Sequence, residues 1–243
     1  MPRARGFTLI ELLVAISIMA LVAILSWRGL DGMARAQSQT AERADSVLAL
    51  QVALGQWGAD LDAMVQLPPV AQAQPIDWDG RALRITRRAA VGAADGVTND
   101  VVNGVVVVAW TRRGGDGASS WLRWQSLPVT TRAAWREAWQ QAAQWAQTPD
   151  QALRAREIDI APLTDWQLFF FRGNAWTNAL SSADAAFNNP AAAPGQPPPA
   201  PGAVSMIAAP DGVRLVLDLP AGPALAGRIT RDWVRPTLGG ERS

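Results

Sequence analysis

The pattern of apolar and polar positions changes character three times along the chain. From Phe7 to Trp27 every residue except Glu11 is apolar or a small hydroxyl, and no periodic polar side breaks the run. At 1.5 Å rise per residue this stretch predicts a helix roughly 30 Å long, the thickness of a bilayer's hydrocarbon core. Further on, Val47, Leu50, Leu54, Trp57, Leu61 and Met64 recur three and four residues apart, on one helical face, with Gln51, Gln56, Asp60 and Asp62 between them. No proline occurs between Pro2 and Pro68, so both patterns belong to one predicted helix that Pro68-Pro69 stops. Gly29, Gly32, Gly55 and Gly58 each cost it about 1 kcal/mol relative to Ala, which tertiary packing has to offset.

After residue 70 the spacing shortens to that of strands. Trp78-Asp-Gly80 reads as a turn, followed by a strand over Ala82–Arg87 with Leu83, Ile85 and Arg87 on one side. Residues 92–103 are small and polar, a loop. The β-branched run within Gly104–Arg112 predicts a buried strand, and Trp121–Gln125 returns beside it across Gly114-Gly-Asp-Gly117 as a hairpin. Thr131–Gln147 reads as a helix with Trp135, Ala138, Trp139, Ala142 and Trp145 on one face. Thr148-Pro149-Asp150 caps a shorter one, with Pro149 in its first turn. Strands follow over Glu157–Leu163 and Trp166–Phe171, the second closed by Gly173-Asn174. Six prolines in residues 188–202 predict a flexible or extended loop. Val213–Leu219 and Arg228–Val234 make a last hairpin, with Gly222 and Gly227 in its turn. The fold class is α+β: a long N-terminal helix, membrane-spanning first and amphipathic later, packed on a head of mostly antiparallel strands in two sheets.

Composition narrows the chemistry. Cys, His and Tyr are absent, and so is Lys, which removes thiolate, imidazole, phenol and Schiff-base catalysis and the commonest transition-metal ligands. Carboxylates, Arg and hydroxyls remain, so the reading is of a non-enzyme without cofactor or metal. Net charge is +1, and −1 without Arg3 and Arg5, so no nucleic-acid partner is expected. Asp77-Trp-Asp79-Gly80 lacks the later glutamate of a calcium loop and reads as a strand-connecting turn. Gly114–Gly117 is followed by no Gly-Lys-Ser/Thr and cradles no phosphate. Arg87-Arg88 and Arg112-Arg113 are expected to be solvated strand ends, and Glu157 and Asp159 surface charges. The twelve tryptophans fit core positions, with some facing partner subunits, better than a sugar site.

Residues 1–27 admit three readings. For a cleaved secretory signal the apolar run is too long, and the sole plausible cleavage site, Ala34-Arg-Ala36, lies beyond Arg28 and Asp31. A plain anchor, held with its N-terminus in the cytoplasm by Arg3 and Arg5, fits but leaves Gly6 and Glu11 unused. A carboxylate in lipid costs about 2–3 kcal/mol, which a segment that only crosses has no reason to bear.

The third reading uses both. Gly6-Phe7-Thr8-Leu9-Ile10-Glu11 resembles the class III signal of type IV prepilins and type II secretion pseudopilins. The resemblance implies a leader over residues 1–6, cut after Gly6 by a prepilin peptidase that methylates the new N-terminal Phe7. It implies that Glu11 meets the N-terminal amine of a neighbouring subunit during assembly. Residues 7–27 would then span the inner membrane, 28–66 continue the helix in the periplasm, and 67–243 form the periplasmic head. Trp27-Arg-Gly-Leu-Asp31 and the Trp166–Phe171 strand followed by Gly173 and Trp176 resemble the J-type (GspJ-like) minor pseudopilins. That implies a place at the pseudopilus tip with I-type and K-type minor subunits, with the H-type subunit as a further candidate. A type IV pilus minor pilin of the PilW kind, serving pilus assembly or DNA uptake, is the alternative, and an anchored periplasmic enzyme the third.

Overall fold

The computed structural model describes residues 8–65, 75–89, 104–115, 118–181, 209–222 and 225–236. It divides into two compact units, Met1–Ser46 and Val47–Ser243. Helix α1, Leu9–Asp62, runs without interruption through 54 residues.

In the first unit α1 is exposed on all sides, including every large apolar side chain from Leu9 to Met33. Within this stretch the Ser17 hydroxyl folds back on the helix and donates to the carbonyl of Leu13 at 2.8 Å. The helix is long and apolar enough to cross a membrane.

In the second unit the end of α1 enters a layered head. The first sheet comprises β1 (Ile76–Trp78), β2 (Ala82–Arg88), β3 (Val105–Gly115), β4 (Ala118–Gln125) and β5 (Glu157–Pro162), antiparallel in that spatial order. The second comprises β6 (Asp165–Arg172), β7 (Ala175–Asn178), β8 (Gly212–Leu219) and β9 (Gly227–Val234), in the order β7-β6-β8-β9. Leu83, Ile85, Val106, Val108, Trp110 and Trp121 of the first sheet share a core with Leu50, Ala53, Trp57 and Leu61 of α1. Trp166, Leu168, Phe170, Val213, Leu215, Leu217 and Trp233 of the second sheet complete it. The opposite face of the first sheet, at Ala82, Val107, Ala109, Leu122 and Trp124, is covered by α2 (Arg132–Gln147) through Trp135, Ala138, Ala142 and Trp145. Coverage on both faces explains why Val105–Trp110 is apolar at every position rather than at every second one.

The two-sheet α+β architecture, the helical stripe, the β3–β4 hairpin and the α2 face agree with the expectation from sequence. Several details differ. Helix α1 ends at Asp62 rather than near residue 66, because the next residues turn to join β2: Arg88 N–H donates to Ala63 and Val65 N–H to Thr86, both at 2.9 Å. Neither β1, whose last residue Trp78 was expected in a turn, nor β7 was expected. β7 is four residues long, and Gly173 and Asn174, both with positive φ, turn the chain into it. Pro149 lies outside α3 (Gln151–Arg154), whose N-cap is Asp150, its carboxylate accepting from Leu153 N–H at 2.8 Å. The loops expected at 92–103 and 188–202 lie outside the described residues.

Candidate functional site

The first unit presents one ionisable side chain in an otherwise apolar helical surface. Thr8 is the N-cap residue of α1 and Glu11 is the third helical residue. The Glu11 N–H donates to Thr8 Oγ1 at 3.3 Å, and Thr8 N–H donates back to Glu11 Oε2 at 3.4 Å. This is the reciprocal capping box that a Thr-x-x-Glu spacing permits. Both contacts are longer than the 2.9–3.0 Å of a well-formed N–H···O bond, so the carboxylate is held loosely and stays exposed. No cation lies against it among the described residues. Gly6 and Phe7, the other two residues singled out in the sequence, lie outside the described residues. At the far end of the apolar stretch, Trp27 is 74% exposed, and Asp31 and Arg35 form an i,i+4 ion pair at 2.8 Å.

The second unit holds the opposite arrangement. Asp60 has no solvent exposure at all. Arg123 grips it with a two-pronged contact, Nε to Oδ2 at 2.8 Å and Nη2 to Oδ1 at 2.9 Å. Trp110 Nε1 and Gln56 Nε2 each donate to it at 2.9 Å, and Arg87 completes the set. All five donor contacts to the carboxylate come from side chains of the second unit. Its work is to seat the end of α1 on β2, β3 and β4. Two residues on, Asp62 accepts from Trp233 Nε1 of β9 at 2.8 Å, which fixes the same helix end to the second sheet.

These contacts correct two expectations. Arg87 and Arg113 are not solvated strand ends: Arg87 pairs with Asp60, and Arg113 pairs with Glu157 while donating to the Trp145 carbonyl at 3.0 Å. Glu157 is not a surface charge either, since it also accepts from Trp145 Nε1 at 2.8 Å. Arg88, Arg112 and Asp159 are exposed, as expected. Asp77 and Asp79 both face Arg84, and Asp79 Oδ1 also accepts from the backbone N–H groups of Arg81 and Ala82, the work of a turn. Among the described residues no three carboxylates gather as a metal site. Nine of the twelve tryptophans are buried; Trp27 is exposed and Trp139 and Trp176 are half-buried.

By sequence, Asp60 reads as one of the polar residues between the stripe positions. The signal that could have found it is its spacing, three residues after Trp57, which puts it on the buried face itself. Arg123 carried a matching signal, two residues from Trp121 and therefore on the core side of its strand.

Residues 1–27 match the family described as Prokaryotic N-terminal methylation motif. No curated protein matches the chain at a significant level. The match covers the capping box and the whole apolar run, and it supports a type IV pilin-like or pseudopilin protein that is anchored in a membrane by a single N-terminal helix.

Proposed function

We propose that the chain is a minor pseudopilin of a type II secretion system, a structural subunit rather than an enzyme, which helps to prime a pseudopilus at its tip. The observation that carries this reading is Glu11, an exposed and loosely held carboxylate inside a methylation motif and an apolar helix. Cleavage after Gly6 would create an α-amine on Phe7, one residue before the helix cap. A cation there opposes the positive end of the helix dipole, and a carboxylate in lipid needs a counter-charge; a second subunit's amine and this Glu11 answer both needs at once. N-methylation of Phe7 leaves the amine charged. The head would lie in the periplasm, with Arg3 and Arg5 keeping the leader on the cytoplasmic side.

The J-type assignment is supported by Trp27-Arg-Gly-Leu-Asp31 after the apolar run and by the two-sheet head. It is also supported by Trp176 beyond Gly173, whose ring packs on Phe171 with centroids 5.2 Å apart. Its partners would be the prepilin peptidase and the I-type and K-type minor pseudopilins. Detergent-solubilised full-length protein should co-purify with those subunits from cells that make the whole set. Co-purification with type IV pilus minor pilins instead, with exoprotein secretion intact after gene loss, would move the chain to the pilus. Mass spectrometry of the mature N-terminus should find methylated Phe7, and an intact leader would refute the processing itself.

A further inference from the structure

Among the described strands four lie at sheet edges, and three of these are poor templates for another strand. β1 has three residues and β7 four. β5 ends in Pro162, and its pairing slips between Trp121 and Leu122. β9 has eight residues without proline and pairs with β8 in unbroken register from Gly227 to Val234. Antiparallel ladders alternate between residues that bond their neighbour and residues that face away. Arg235 N–H donates to the Asp211 carbonyl at 2.9 Å, so the odd-numbered residues of β9 bond β8. The peptide groups of Arg228, Thr230, Asp232 and Val234 therefore point off the sheet, a row of donors and acceptors that no other described strand pairs.

The side chains specify what such a row would accept. On the outer face Arg228 and Asp232 are already engaged, Arg228 with Asp218 at 2.9 and 3.0 Å and Asp232 with Arg214 at 2.7 Å on both oxygens. On the core-facing side Ile229 and Trp233 border the main core, and Arg231 stands between them opposite Leu215. Arg231 is exposed, and no carboxylate among the described residues pairs with it. A cation at a core-facing position of an edge strand rejects a purely apolar strand and favours one that brings an acid.

We propose that β9 is a docking edge that takes an extended segment of a partner protein by strand addition. The segment carries an apolar–x–carboxylate–x–apolar pattern, its acid on Arg231 and its apolar side chains beside Ile229 and Trp233. This edge belongs to the head and its occupation does not depend on how the N-terminus is processed.

The test uses full-length protein in detergent and a fluorescently labelled peptide, Thr-Ile-Thr-Glu-Thr-Val-Thr, read by anisotropy. The glutamate peptide binds saturably, and its lysine counterpart binds about tenfold more weakly. Arg231→Glu inverts that preference, a gain for the lysine peptide that a misfolded variant would not show. Thr230→Pro removes an outward N–H and no bond to β8, and weakens both peptides alike. Absence of saturable binding, equal binding of the two peptides, or an unchanged preference in Arg231→Glu overturns the proposal. So do cross-links joining β9 of two copies of the chain, which would give the edge to self-association.

Discussion

One helix carries two carboxylates in apolar surroundings, and the two halves treat them in opposite ways. Asp60 is sealed in the head with five donor contacts from Arg123, Arg87, Trp110 and Gln56. Glu11 has only the hydroxyl and N–H of Thr8, and no cation among the described residues. A charge removed from water needs a counter-charge or it costs several kcal/mol. The head supplies its own from strands far along the chain, Arg123 being 63 residues from Asp60. The described residues of the anchor supply none, and the proposed function assigns that role to a neighbouring subunit's amine. Internal satisfaction marks Asp60 as a structural charge, and its lack at Glu11 is what the proposed assembly role would use.

The strongest way to break this comparison is to remove the buried charge. Asp60→Ala strands the Arg123 guanidinium, whose side chain is 8% exposed, and should lower the unfolding free energy of the head by about 3–5 kcal/mol. Urea denaturation followed by tryptophan fluorescence measures it. Replacing Asp60 by Leu and Arg123 by Met together should recover part of that loss, because it removes the more deeply buried orphan and leaves only Arg87, whose side chain is 13% exposed, without its carboxylate. A double variant no more stable than Asp60→Ala would show that the pair itself holds α1 in place.

That buried node also marks the limit of what was legible in the sequence. Local patterns carried most of the fold: the three-four spacing of Leu50, Leu54, Trp57 and Leu61, the β-branched run of β3, and the tryptophan face of α2. Each of these reports its own burial through period. Asp60, Arg87, Arg113 and Glu157 do not, since a charge is read as solvated unless its partner is known, and those partners sit on other elements. Trp57 and Trp121 placed Asp60 and Arg123 on inward faces by spacing alone, but polarity outweighed position. β7 was missed for a different reason. Four residues give too little alternation to separate a strand from the end of a turn. At the N-terminus the reverse holds: Gly6, Phe7 and Glu11 were singled out from residue order alone, and among them the structure describes Glu11.

A smaller effect separates surface charges from Glu11 and Asp60. The bidentate hydrogen bond from Arg214 holds the Asp232 carboxyl below its ordinary value, and that from Arg228 does the same to Asp218. A carboxyl depressed in the folded state adds stability above its unfolded pKa of about 3.9 and loses it as pH falls through the folded value. The head should therefore weaken below about pH 4, and Asp232→Asn should flatten that slope. With the Asp232 side chain 41% exposed, the change should stay under about 1 kcal/mol after solvent screening. Denaturation midpoints at pH 3 and pH 6 for both proteins give the difference, and a slope unaltered in Asp232→Asn would assign the acid sensitivity elsewhere.

The smallest expected effect on stability falls on the residue with the largest expected effect on assembly. Glu11→Leu removes a carboxylate whose contacts with Thr8 are 3.3–3.4 Å long and which lies in the first unit. The unfolding free energy of the head should stay within about 0.5 kcal/mol of the parent. Membrane insertion should be unimpaired, since leucine is better suited to lipid than a carboxylate is. If the charge exists to meet a neighbour's amine, the variant should still be made, inserted and folded, yet fail to co-purify with other pilin-like subunits. Glu11→Asp tests the same point more finely: it keeps the charge but shortens its reach, so partial recovery is expected. Wild-type assembly by Glu11→Leu would reduce Glu11 to half of a capping box, and the contrast with Asp60 would then be one of burial alone.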